Sequence, residues 1–279
     1  MATIRDKSIT MAHGGGGRAM RELIERLIVP AFANPLLAPL EDQARIEVRG
    51  LAEIGDRLAF TTDSYVVSPL FFAGGDIGTL AICGTVNDLA MSGAVPLFLS
   101  CGLIIEEGFA TADLERVLAS MSATARLAGV NVVTGDTKVV NRGAADKLFI
   151  NTAGIGVIAA GVSISAARAQ PGDVIIVNGT LGDHGVAILV ARNELELESD
   201  IASDCQPLHG LVQAMLCACI DIHCLRDATR GGLATVLNEF AISSNVGMRL
   251  QERPGARVGD GIAAGLTRNP PSVLSASAL

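Results

Sequence analysis

Along this chain the apolar residues recur at two intervals, and the switches between them outline the elements. Residues 19–32, AMRELIERLIVPAF, place Met20, Leu23, Ile24, Leu27 and Ile28 on one helical face. Residues 111–129, TADLERVLASMSATARLAG, predict the clearest helix: Thr111 as N-cap, a stripe of Leu114, Val117, Leu118 and Met121, and Gly129 as the stop. GTLAICGTVNDLAMSG (78–93) reads as a helix despite Gly84, with Asp88 on it. Between these lie strand-like runs. RLAFTTDSYVV (57–67) is interrupted by Asp63, and VPLFLSCGLII (95–105) is apolar throughout, as a buried strand is. NVVTGD (131–136) has an apolar run ending at Gly135, and LFINTAGIGVI (148–158) follows it. This order predicts an α/β chain with mixed sheets.

At ARAQPGD (167–173) the pattern breaks in a Pro-Gly turn, which places a domain boundary there. Residues 1–168 form the first expected domain. Residues 169–250 form a second, partial one, with a strand at DVIIVNG and helices at DHGVAILVARN, PLHGLVQAMLCACIDI and RGGLATVLNEFAISS. In the second of these helices Leu208, Leu211, Val212, Met215, Leu216, Cys219 and Ile222 share a face. Residues 251–279 have no lasting period and several prolines, and read as a loop-like or disordered tail.

Composition sharpens this picture. With 49% hydrophobic residues, 31 glycines, 3% aromatics and no Trp, the core must be Ala, Val, Ile and Leu, which suits close helix–sheet packing. The net charge of −8 argues against a nucleic-acid footprint. No apolar run is long enough for a membrane span, and the start lacks a signal-like core, so a cytoplasmic protein is expected. Six scattered cysteines then read mostly as small buried hydrophobes. The run CACIDIHC is not expected to bind metal, since Cys217 and Cys219 would lie about 200° apart around a helix.

Four carboxylates stand in or beside apolar elements among small or hydroxylated neighbours: Asp63, Asp88, Asp136 and Asp227. Each alone suits a helix cap or a turn. Together they are costly near a core unless paired or bound to a cation, and their oxygen-rich surroundings suit magnesium. Lys138 follows Asp136 by two residues. In HGGGGRAM, His13 and Gly14, Gly15, Gly16 and Gly17 precede a helix, as an anion-binding turn or as a flexible linker. Gly14, Gly16 and Ala19 loosely fit a dinucleotide fingerprint, but the preceding strand and the later acidic residue are missing. There is no Walker-type phosphate loop.

These motifs resemble one family. AHGGGGRAM, TDSYVVSPLFFAGGDIGTLAICGTVNDLAMSGAVP, LSCGLIIEEG, VVTGDTKVVNRGAADKLFINTAGIG, GTLGDHGVAILV and LRDATRGGLATVLNEFA are similar to the HypE hydrogenase maturation factors, the carbamoyl dehydratases. The likeness runs from about Met11 to Arg249. It implies a two-domain PurM-like ATP-binding fold, shared with aminoimidazole ribonucleotide synthetase and selenophosphate synthetase, and a homodimer formed through the N-terminal sheets. It further implies Asp63, Asp88, Asp136 and Asp227 as the magnesium set, and His13, Gly14 to Gly17, Asp63 and Lys138 around ATP. Lys138 and Asp88 are the implied catalytic pair. The implied reaction is ATP-dependent dehydration of a C-terminal cysteine thiocarboxamide to a thiocyanate, after carbamoylation by HypF. The nitrile then passes to a HypC–HypD scaffold and becomes cyanide for nickel–iron hydrogenase.

From about Gln251 the family pattern is lost, and no cysteine follows Cys224. The C-terminal part therefore reads as truncated or frameshifted, and turnover of the chain's own tail is expected to be impossible. Two other readings stay open: another PurM-like magnesium–ATP enzyme, and a non-catalytic partner that binds ATP or maturation factors.

Overall fold

The computed structural model describes residues 6–194, 200–229, 231–251 and 263–267. A short 3-10 turn (Met11–Gly14) leads into helix α1 (Arg18–Leu23), which runs through a π-turn (Ile24–Ile28) into α2 (Val29–Ala31). Helix α3 (Val48–Ala52) and strands β1 (Arg57–Tyr65), β2 (Phe71–Phe72) and β3 (Gly75–Asp76) follow. Next come α4 (Ile77–Met91), β4 (Ala94–Glu106), α5 (Thr111–Ala128), β5 (Asn131–Val140) and β6 (Leu148–Ile158). The main sheet has the order β1-β6-β4-β5, with β4 and β5 parallel and the other pairs antiparallel. Helix α5 makes the crossover that a parallel pair requires.

Helices α4 and α5 cover one face of this sheet and bury the main core against it. From α4 come Ile77, Ala81, Ile82 and Val86; from α5 come Leu114, Val117, Leu118 and Met121; Leu99, Leu103, Ile105, Leu148 and Ile150 meet them from the strands. Asp76 caps α4 by accepting the Thr79 N–H at 2.9 Å. The helix then lies so close to β6 that a Cβ on Gly154 would sit 2.8 Å from Thr85 Cγ2 and 2.9 Å from Leu89 Cδ1. In that narrow gap three hydroxyls satisfy one another. Tyr65 meets Thr85 at 3.1 Å, Thr85 meets Thr152 at 2.5 Å, and Thr152 donates to the Ala81 carbonyl at 3.0 Å. Burial raises the Tyr65 phenol well above its usual range, so it stays a neutral donor.

The sheet's other face carries exposed apolar groups, with Phe60 71% and Leu58 62% accessible. Beyond β6 the chain forms a 3-10 turn (Ala166–Arg168), β7 (Val174–Ile175), α6 (Asp183–Ala191), α7 (His209–Ala218), α8 (Gly232–Ser244), β8 (Gly247–Gln251) and β9 (Ala263–Thr267). The last strands make a second antiparallel sheet ordered β7-β9-β8. A separate small core of Ala169, Leu237, Val246 and Met248 sits beneath α8. Of the tail read as loop-like, Gln251 ends β8 and Ala263–Thr267 forms β9 beside it, so these residues are strand because their backbones pair; the rest lies outside the described residues.

Several local expectations change. β1 continues through Asp63, because Asp63 keeps its backbone pairing with Thr152 while its side chain takes the edge of the sheet. β5 does not end at Gly135; pairing with β4 carries it on to Val140. Thr111 is the first residue of α5 and not its cap, since its hydroxyl donates to the Asp6 carbonyl at 2.7 Å. Helix α7 stops at Ala218, leaving Cys219 extended and exposed, so the helical argument about Cys217 and Cys219 does not describe this segment. The chain leaves the helix to fasten His223, whose carbonyl takes the Ser165 N–H at 3.0 Å and whose ring meets Asp173 at 2.8 Å. A methyl at Gly154 would force α4 off the sheet. Gly154→Ala should lower stability by about 1–3 kcal/mol in urea unfolding, and an unchanged midpoint would refute the close-contact reading.

Candidate functional site

One corner of the sheet gathers three of the acidic residues. On β1, Thr61, Asp63 and Tyr65 point to the helix-covered face, alternating with exposed Thr62 and Ser64. Thr61 donates its hydroxyl to Asp88 of α4 at 2.9 Å. Asp227 joins them from the stretch between α7 and α8. Burial raises the Asp88 carboxyl above its usual range, the Thr61 hydrogen bond opposes this, and the Asp63 charge adds to it. Asp227 is also raised, first by burial and then by the Asp88 charge. Half-buried carboxylates that repel one another make this corner a candidate place for a cation.

Arg226 brings a counter-charge to Asp88 and Asp227. Its guanidinium is tied to Glu239 of α8 at 2.5 Å and also feels Asp227 and Asp88. Thr61, Asp88, Ser92, Arg226 and Asp227 line a cleft of about 430 Å³. Thr61 was legible as the residue two before Asp63, on the same strand face. Glu239 was not, because it reaches the site from another helix.

The glycine-rich segment lies elsewhere. His13 is turned inward and buried, its Nδ1 3.1 Å from the Thr10 N–H and 3.0 Å from the Thr10 hydroxyl. It shapes the turn and does not face outward. Gly14 rests directly on β5, where an added Cβ would come 2.8 Å from that of Val139. Gly15, Gly16 and Gly17 are exposed beyond it and lead into α1.

Asp136 and Lys138 are exposed on β5, the opposite edge of the sheet from β1. They alternate with buried Thr137 and Val139, and Asp136 is level with Gly102 and Asn151 on the uncovered face. Three strand spacings put the two edges about 14 Å apart. A single chain thus brings Asp63, Asp88 and Asp227 together and leaves Asp136 and Lys138 apart from them. Among the described residues no three His, Cys, Asp or Glu groups form a ready-made metal cage. No described helix is long and apolar enough to cross a membrane.

Comparison with known proteins agrees with this architecture. Residues 41–158 match the family model of the AIR synthase related protein N-terminal domain, and residues 170–273 match that of its C-terminal domain. Carbamoyl dehydratase HypE of Rhodobacter capsulatus is 55% identical over 249 residues, covering 89% of this chain and 72% of that protein. A solved structure of hydrogenase maturation protein HypE in complex with ATP is similar at a TM-score of 0.82 and 45% identity, over 94% of this chain and 81% of the other. A HypE–HypF complex is similar at 0.70 and 42% identity, over 87% and 84%. With a two-part α/β fold of this kind and identity of this extent, the chain belongs to the HypE carbamoyl dehydratase family of hydrogenase maturation proteins.

Proposed function

We propose that this chain binds magnesium–ATP at a site built to dehydrate a cysteine thiocarboxamide to a thiocyanate, the nitrile source for the cyanide of nickel–iron hydrogenase, and that it turns over only a thiocarboxamide supplied in trans, since no cysteine follows Cys224 in its sequence. The observation that carries the reading is the coupled acidic corner, in which burial and mutual repulsion raise Asp88 and Asp227 beside a cleft. The likeness to an ATP-bound HypE supports the nucleotide, and the likeness to a HypE–HypF complex supports HypF as the carbamoyl donor. HypC–HypD is the proposed acceptor of the nitrile. The proposed domains are residues 1–168 and 169–250, and of the stretch 251–279 expected as a tail, β9 belongs to the second domain's sheet, within a family match that runs to residue 273.

The donor set fits magnesium: carboxylate oxygens without sulfur, in the number this ion takes when phosphate and water complete its shell. Asp63, Asp88 and Asp227 would hold it, and when bound it would offset the charge of the triphosphate. Thr61 holds the Asp88 carboxylate in place through its hydroxyl. Exposed Gly15, Gly16 and Gly17 would turn backbone N–H groups to phosphate oxygens, Gly15 exchanging the Ala12 carbonyl at 3.4 Å and Gly16 the Met20 sulfur at 3.2 Å. Lys138 supplies a point charge to the transferring phosphoryl group. The thiocarboxamide oxygen attacks the γ-phosphorus and ADP leaves. The nitrogen then loses its protons, the carbon–oxygen bond breaks, and phosphate departs as the carbon–nitrogen triple bond forms. Oxygen becomes a usable leaving group only once phosphorylated.

The separation of Lys138 from the acidic corner is explained by a second copy. Leu58 and Phe60 on the uncovered face are an apolar surface suited to burial against the same face of a partner, with the Asp136 and Lys138 edge beside it. In such a homodimer the Lys138 edge of one copy lies alongside the acidic corner of the other, and each site draws on both.

Three outcomes follow. Phe60→Glu should convert the dimer to monomer in analytical ultracentrifugation; a dimer of unchanged affinity would refute this interface. Activity is best read as phosphate release with a peptide thiocarboxamide supplied in trans. Asp88→Asn and Lys138→Ala should each lose about 100-fold or more in rate, while mixing them should restore part of it through hybrid dimers. No restoration would place both residues in one copy's site. Finally, a carboxyl raised in the folded state favours its proton there. Its penalty is therefore full above the raised value and vanishes below the unfolded value near 4. Asp88→Asn should stabilise the ligand-free protein at pH 7, a gain that fades toward pH 4, while weakening magnesium–ATP at least about tenfold in titration calorimetry. A loss of stability at pH 7 would remove the case for a strained acidic corner.

A further inference from the structure

Away from the acidic corner, Cys83 and Cys205 lie on two segments that are fastened side by side although far apart in sequence, and Cys205 is the neighbour that acts most strongly on the Cys83 thiol. Cys83 is buried in the middle of α4, and Cys205 is half-buried in the stretch between α6 and α7. Both segments are fastened around the pair. One helical turn beyond Cys83, the Asn87 amide donates to the Gln206 carbonyl at 3.0 Å and accepts the Leu208 N–H at 2.7 Å. On the other side, the Ser203 N–H donates to the Ala73 carbonyl at 2.8 Å. The Ser203 hydroxyl meets His184 Nδ1 at 2.9 Å and accepts the Cys205 N–H at 3.3 Å. The other cysteines are differently placed: Cys101 is buried, Cys217 and Cys219 are exposed, and Cys224 donates to the Ser165 carbonyl at 3.0 Å.

We propose that Cys83 and Cys205 are an oxidative modification site, at which a peroxide makes a disulfide that locks the α6–α7 stretch onto α4. Cys205, the more accessible sulfur, attacks a peroxide oxygen and breaks the O–O bond, becoming a sulfenic acid. Cys83 sulfur then attacks the Cys205 sulfur, and the displaced hydroxide leaves as water with the Cys83 proton. Two thiols and one hydrogen peroxide give one disulfide and two waters. The neighbouring Cys205 sulfur and burial both hold the Cys83 thiol protonated above its ordinary range, so closure quickens as pH rises. The clasp through Asn87 and Ser203 holds the two segments side by side while this happens, and it needs no nucleotide.

The full chain, treated with hydrogen peroxide, alkylated under denaturing conditions and mapped without reduction, tests the site. The expected result is loss of two alkylatable thiols and a cross-linked Cys83–Cys205 peptide that dithiothreitol releases. The melting temperature should rise by roughly 5–10 °C, because the bond closes a long loop. Cys205→Ser should give no cross-link and keep the melting temperature of the untreated protein. Cys83→Ala, the second variant, should also give none. Full alkylation of both residues after oxidation would overturn the proposal. So would pairing of Cys205 with Cys217, Cys219 or Cys224, or a cross-link that leaves the melting temperature unmoved. None of these outcomes bears on nucleotide binding, so this site and the acidic corner stand or fall separately.

Discussion

The closeness of α4 to the main sheet is the constraint on which the rest depends. At Gly154 there is no room for a side chain, and the hydroxyls of Tyr65, Thr85 and Thr152 fill the gap without leaving a buried donor unpaired. That contact fixes the helix in register with β1. The register in turn sets Asp88 within a hydrogen bond of Thr61 and in the field of Asp63. A helix standing off by even a fraction of a side chain would relax the repulsion and give Asp88 back to solvent. The fold thus stores electrostatic strain in a half-buried corner and holds it there with close packing.

Long, strongly periodic elements were legible from the residues. The stripe from Leu114 to Met121 is buried as the spacing required, and Gly129 ends α5 in the left-handed conformation. The failures lie where backbone pairing or a distant partner decides. Asp63 looked like an interruption because a carboxylate suits a strand poorly, yet pairing with β6 holds the strand straight through it. Gly135 looked like an end because it breaks the apolar run, but β4 offers partners up to Val140. The α7 stripe continued on paper to Ile222, while the chain gave its last turn to contacts with Ser165 and Asp173.

The site was legible as a list and not as an arrangement. Residue type and neighbours singled out Asp63, Asp88, Asp136, Asp227 and Lys138, but the edge of the sheet each occupies follows from strand order, which no local pattern encodes. The order β1-β6-β4-β5 puts Asp63 at one edge and Asp136 and Lys138 at the other, with Asp88 brought to the first by α4 and Asp227 from a separate part of the chain. His13 shows the same limit in a smaller way. Beside four glycines it resembles a ligand contact, whereas its ring closes the turn onto Thr10.

The seat of Gly14 on Val139 also governs the order of assembly. The N-terminal turn has no surface to settle on until β5 has docked beside β4, and that pairing waits for the α5 crossover to close. A segment that precedes the whole sheet in the chain is therefore among the last to find its place. Until it does, the exposed glycines ahead of α1 lack a fixed footing, so the shape of the turn arrives only with completion of the sheet.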